Sequence, residues 1–168
     1  HKGIVCEKYD GNTFPFDDAI FDLVGSINVL EHTDDPKLFL DEEYRILKSG
    51  GHLVVICPNF LSVTNNYHKQ TRGILQKMEN LAHLIMSILT RSTTFRKMEM
   101  TISQHFQPDD DAVNITNPIA IKSWADSKSL KLVYSSAFQV EKGKMLSLID
   151  KTPLSVFFGS CFFVFQKN

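Results

Sequence analysis

Glycine is scarce in this sequence. There are eight in 168 residues, and no Gly-x-Gly occurs anywhere. That excludes, within these residues, the glycine-rich turn that lets a backbone approach a bound dinucleotide. Cysteine is scarcer still: three, scattered and odd in number, so a disulfide scaffold is excluded. No excess of positive charge is present. Eighteen Lys and Arg face nineteen Asp and Glu, for a net charge of -1, which argues against a globally basic nucleic-acid binder. No apolar run reaches the about 20 residues that a bilayer span needs. The densest stretch, 154–165, is shorter and contains Gly159 and Ser160. No positively charged segment followed by an apolar one opens the chain, which starts at His1. The expectation is a cytoplasmic protein with reduced thiols. With 43% hydrophobic residues it has enough apolar surface to fold.

What is present reads as alternating strands and helices. Residues 3–7 (GIVCE) form a short β-rich run, closed by the turn Asp10-Gly11-Asn12. Residues 21–29 (FDLVGSINV) predict a strand buried on both faces. Asp35 then reads as an N-cap with Pro36 at the first helical position. Leu40, Tyr44 and Leu47 follow at helical spacing, Lys48 sits in the expected last turn, and Gly50-Gly51 supply a stop. Residues 53–57 (LVVIC) predict a second buried strand, ended by Pro58. Strand, helix, strand at this spacing is a right-handed βαβ unit in a parallel sheet.

The middle, 59–117, is different. Its one strong helix, 74–89, places Ile74, Met78, Leu81, Ile85 and Ile88 on one stripe. Between positions 67 and 98, Lys69, Arg72, Lys77, Arg91, Arg96 and Lys97 face Glu79 alone. The helix reads as a lid closing the core, as a wall of an apolar acceptor pocket, or as a peripheral contact with an anionic membrane through 74–90. The run Asp109, Asp110, Asp111 reads as a solvated loop. Asn117 and Pro118 then open a helix to about 127, with Ile121, Trp124 and Ala125 inward. Strands are expected at 130–138 and 156–165. The latter holds five Phe without alternation, as expected of a strand covered on both faces.

The stretch 10–59 resembles the second half of the core of class I S-adenosylmethionine-dependent methyltransferases of the type 11 kind. The matching features run in order: Asp10 before Phe14-Pro15-Phe16, then Phe21-Asp22 opening a strand. The Val29-Leu30-Glu31-His32 turn, Asp35-Pro36, and the Arg45 to Gly51 helix end follow. Ser49 stands where the family has Pro, and Glu43 stands where it commonly has an apolar residue. The resemblance implies an α/β, Rossmann-like, mostly parallel sheet with an antiparallel last strand inserted between the fifth and sixth. The five strand runs would be strands three to seven. The glycine-rich turn and the ribose-binding acid have no counterpart. The chain is therefore expected to be a single partial domain over 1–168, an N-terminally truncated fragment without the first two strands, with 59–117 as a helical insert or lid. Strand 21–29 would then be an open edge.

The resemblance also implies a cofactor, S-adenosylmethionine, and roles for particular residues. Asp10 would accept from the adenine amino group, with Gly11 and Asn12 beside it. Asn28, Val29 and Leu30 would face the methionyl end. His32 is the candidate general base, since a histidine titrates in the useful range. Tyr67 and His105 are candidate acceptor contacts. Some small-RNA and quinone-precursor members bind a divalent metal through Glu-x-x-Glu-His at this turn. Here Asn28 replaces the first Glu, and no metal is expected. The plain reading of Asp10 and Asn28 as turn formers stays open. The expected activity is methyl transfer to a small-molecule or lipid-like acceptor, with no nucleic-acid partner. This chain alone is expected to be inactive. The rival is a non-catalytic association module.

Overall fold

A computed structural model describes residues 3–63, 73–101, 109–137 and 152–168. The elements run β1 (Phe21–Ile27), a 3-10 turn (Leu30–His32), α1 (Pro36–Ile46), β2 (Leu47–Pro58) and α2 (Ile74–Thr90). Then come β3 (Arg96–Lys97), β4 (Asn114–Ile115), α3 (Pro118–Ser127), β5 (Lys131–Ser136), a second 3-10 turn (Pro153–Phe157) and β6 (Ser160–Gln166).

The main sheet has the order β1-β2-β6-β5. β1 and β2 are parallel, and β6 is antiparallel to both β2 and β5. The last strand thus lies between its two predecessors in space, as expected, and the fold is a Rossmann-like α/β sheet. β3 and β4 form a separate two-stranded ribbon.

Alternation decides where the core sits. Leu53, Val55 and Cys57 on β2, with Cys161, Phe163 and Phe165 on β6, are buried. They meet Phe39 and Leu40 of α1 and Ile121, Trp124 and Ala125 of α3. The caps of both helices are as read. Asp35 accepts from the Lys37 and Leu38 amides at 2.9 and 3.1 Å, and Asn117 accepts from the Ala120 amide at 2.9 Å. Asp41 joins the helices, taking bonds from Trp124 Nε1 and Lys128 Nζ, both at 2.9 Å.

Several expectations are corrected. Residues 3–7 form no strand: Ile4 and Val5 are 94% and 79% exposed and have no neighbour to pair with among the described residues. β1 is not buried on both faces. It has one neighbour in the sheet, β2, and Leu23 and Ile27 are 65% and 63% exposed. Among the described residues the expected open edge is present. α1 stops at Ile46, so Lys48 is not in its last turn. Leu47 takes an extended conformation, and Gly50 (φ 79°) lets residues 48–51 bulge between the Phe21–Leu47 and Leu23–His52 pairings. Lys48 reaches Asp22 instead. Residues 156–165 split: Gly159 (φ 59°) ends the 3-10 turn, and the strand starts at Ser160. That strand does alternate, with Phe162 and Val164 half-buried. β5 is shorter than 130–138 and mostly exposed, being an edge.

Glu43, which stands at a position the resemblance marks as apolar, is buried. It is only 1% exposed, and its Oε2 has no hydrogen-bond partner among the described residues. Burial raises its carboxyl to about 8, and the Ser26 hydroxyl of β1 offsets this only in part.

The stripe on α2 is also reversed. Its buried residues are Asn80 and Leu84, and Asn80 donates to the Phe60 carbonyl at 3.3 Å. Ile74, Met78, Ile85 and Leu89 face solvent. A helix in this pose does not close the core with its apolar face.

Candidate functional site

The residues singled out by sequence lie in two turns. The first is Asp10 to Thr13. Asp10 Oδ1 accepts from the amides of Asn12 and Thr13 at 2.8 and 2.9 Å, which fixes the turn. These bonds hold the Asp10 carboxyl below the usual carboxylate range. Gly11, at φ 94°, takes a conformation that L side chains rarely adopt. Tyr9 and Phe14 pack on each other and on Phe39 of α1, anchoring the turn to the fold. The Phe14 amide bonds Glu42 at 2.8 Å, and Arg45 clasps Glu42 and the Phe14 carbonyl from below.

The second turn begins where β1 ends. Asn28 takes a left-handed conformation (φ 53°), which Asn tolerates better than most residues, and its amide bonds the Ile56 carbonyl at 2.8 Å. Asn28 and Val29 are exposed. Leu30 is not: its side chain is wholly in the core and its carbonyl accepts from Thr33 Oγ1, so it offers no side-chain contact to a ligand. The two turns approach each other at Gly11, where a Cβ would lie 3.7 Å from Asp34 Oδ2. The carboxyl ends of parallel strands are where such sheets bind ligands.

Glu31 and His32 sit at the centre. Glu31 is fully buried, and neither carboxylate oxygen has a hydrogen-bond partner among the described residues. Burial raises its carboxyl to about 7. Asp109 and Asp111 add repulsion, while its own backbone amide and His32 pull the other way. His32 Nε2 lies 3.7 Å from Glu31 Oε1, and Nδ1 lies 3.5 Å from Asp111 Oδ1. The Asp109 to Asp111 run is therefore not a detached solvated loop. It folds against this turn, and Asp110 is buried. Ligand atoms of Glu31, His32 and Asp109 all lie within 4.8 Å of one another, a grouping that could hold a metal ion.

Sequence reasoning missed the residues that bring this run in. Asn114 is fully buried and donates to the Thr33 and Glu31 carbonyls at 2.6 and 3.3 Å. The Val113 amide bonds the Glu31 carbonyl at 2.9 Å, and Lys97 Nζ caps the Asp34 carbonyl. Asn59, also fully buried, donates to the Val156 and Phe158 carbonyls at 3.0 and 3.3 Å. Polar residues in a strand-poor stretch give no periodic signal, so nothing short of the contacts reveals them. Tyr67 and His105 lie outside the described residues. A separate cavity of about 270 Å³ opens beside α2, with Leu61, His83, Met86 and Ile115 among its walls.

A β-α-β unit with strand-end turns, joined to an antiparallel last strand, defines a Rossmann-like α/β sheet. Residues 2–55 match the family model described as "Methyltransferase domain". That match covers the segment carrying β1, α1 and most of β2. An uncharacterized 37.1 kDa protein in transposon TN4556 of Streptomyces fradiae is 36% identical over 64 residues, 38% of this chain and 19% of the relative. Among solved structures, a Haloferax volcanii protein in complex with the Trm112 methyltransferase activator overlays with a TM-score of 0.46 at 17% identity. That overlay covers 94% of this chain and 59% of the other. The PH0226 protein of Pyrococcus horikoshii overlays with a TM-score of 0.46 at 15% identity, covering 95% and 60%. The chain thus spans about a fifth of the curated relative and about three fifths of these solved chains.

Proposed function

We propose that this chain takes part in S-adenosylmethionine-dependent transfer of a methyl group to a small-molecule or lipid-like acceptor. One observation carries the reading. The segment with the methyltransferase-domain match, 2–55, is the one that holds both turns, which approach each other at Gly11 and Asp34. Bound S-adenosylmethionine supplies a methyl group on a sulfonium, which is electrophilic without help from the protein. The protein then has to place the reactants and exclude water.

The residues present fit one side of that cofactor. Asp10 offers an exposed carboxylate whose Oδ1 already holds two amides, so an adenine amino group would meet the other oxygen. Gly11 and Asn12 would lie along the adenine. Asn28 and Val29 would stand at the methionyl end, with Leu30 holding the backbone in place from the core. No residue of the chain supplies a glycine-rich turn, and the chain by itself is expected to bind the cofactor weakly. His32, between two carboxylates, would take the proton that the acceptor loses. Tyr67 and His105, in the insert 59–117, would touch the acceptor. The partly apolar cavity beside α2 supports a lipid-like acceptor, although at about 270 Å³ it is at the small end for a ligand site.

A second reading, a non-catalytic association module, is favoured by β1. An unpaired apolar edge is a template for another strand. Calorimetry with S-adenosylmethionine separates the two, on this chain and on the protein expressed from its whole gene. The enzyme reading expects binding by the latter, weakened about tenfold or more by Asp10→Ala, the loss of one charge-assisted hydrogen bond. No binding by either would leave the association module.

A further inference from the structure

We infer that the outward face of α2 docks on an anionic membrane surface. At about 100° per residue, Ile88, Leu81, Ile74, Ile85, Met78 and Leu89 fall in one continuous arc, and the residues completing it are Ala82, Leu75 and Met86. No charged or polar side chain interrupts it. The exposure runs the full length, from 81% at Ile74 to 73% at Leu89. The helix packs on the protein through a narrow side made of Asn80, the fully buried Leu84 and the half-buried His83 and Ser87. A helix mounted with its broad apolar side outward has that side committed to something outside the fold.

The charges at the rim select the occupant. Lys77 borders the arc beside Ile88, and Arg91 ends the helix. Arg96 and Lys97 follow on β3, both exposed. Glu79, the one acid on the helix, is held by Arg96 at 3.0 Å and by His83 at 3.5 Å. An aliphatic and methionine face with cations at its border matches acyl chains below a negative headgroup layer. No described helix is long and apolar enough to cross a membrane, so the contact is one of lying on the surface. The inference does not depend on methyl transfer, because vesicle binding is read without turnover.

The test is co-sedimentation of the chain with vesicles of phosphatidylcholine alone and of phosphatidylcholine with phosphatidylserine. Pelleting is expected with the mixed vesicles and is expected to fall as salt rises. Ile85→Asp should abolish it. Lys77→Ala and Arg91→Asn should each cut partitioning about fivefold, the fold-change of about 1 kcal/mol per surface cation. All three positions are outside the core, and the fluorescence of buried Trp124 checks that each variant folds. Equal pelleting by both vesicle types, no pelleting at all, or pelleting that survives Ile85→Asp would overturn the inference. So would a dimer in light scattering that Ile85→Asp dissociates while vesicles bind nothing, which would assign the face to a second copy.

Discussion

Glu43 sets up a pH dependence that can be worked out from its position. Its carboxyl is raised from 4.5 to about 8 by burial between α1 and β1. Below pH 4.5 the group is protonated in both folded and unfolded chains, and the fold has its full stability. As pH rises above 4.5, the unfolded chain releases the proton while the folded chain keeps it. Stability then falls by about 1.4 kcal/mol per pH unit until the folded carboxyl also ionises near 8. The total loss is roughly 4–5 kcal/mol, of which about 3 is reached by pH 7. That is a large part of the 5–15 kcal/mol typical of a domain. Glu43→Gln keeps the shape and hydrogen-bonding atoms but cannot ionise. The variant should match the wild type near pH 4.5 and exceed it by about 4 kcal/mol at pH 8.5. Urea unfolding, followed by the fluorescence of Trp124, gives the stability at each pH. Trp124 is the single tryptophan and is fully buried. Glu31, raised to about 7, titrates in both proteins and cancels in the difference. A difference that stays flat from pH 4.5 to 8.5 would refute the reasoning. It would mean that the carboxylate ionises inside the fold at little cost.

Two smaller perturbations test the framework around the site. Asp35→Ala removes the acceptor for two α1 amides and should cost about 1 kcal/mol in urea unfolding, as helix N-caps do; a change within error would show the cap to be idle. Gly159→Ala puts a Cβ against the Ala137 carbonyl at a φ of 59°. It should cost about 2 kcal/mol or more, with loss of amide-exchange protection at the Ser160 end of β6, and unchanged protection would contradict the register found there.

The sequence was legible wherever a local rule has a local cause. Asp35-Pro36 and Asn117-Pro118 open helices because a side chain and a fixed φ act within three residues. Sheet order followed from the resemblance and held, since the antiparallel β6 lies between β2 and β5. Legibility failed where the cause was a distant partner or the lack of one. Residues 3–7 have the composition of a strand, but a strand exists only by pairing, and none of the described elements pairs with it. Residues 21–29 read as doubly buried because their apolar content is that of a central strand. The sheet offers them one neighbour.

The stripe on α2 was misread, whereas Glu43 is buried as its commonly apolar position implies. Periodicity tells which side chains share a face, and it says nothing of which way the face is turned. In α1 the face that holds Glu43 is turned inward by Phe39, Leu40 and Ile46, so the carboxyl goes in with them. In α2 the larger apolar face is turned outward, because Asn80 and Leu84 are what Phe60 and its neighbours meet. The same distinction governs the candidate site. Glu31 and His32 were visible as chemistry-bearing residues, but their surroundings come from a run 78 to 80 positions later, tied in by Asn114. The carboxylate of Glu31 is perturbed by burial and by that run. A sequence window around Glu31 contains neither cause, and the structure supplies both.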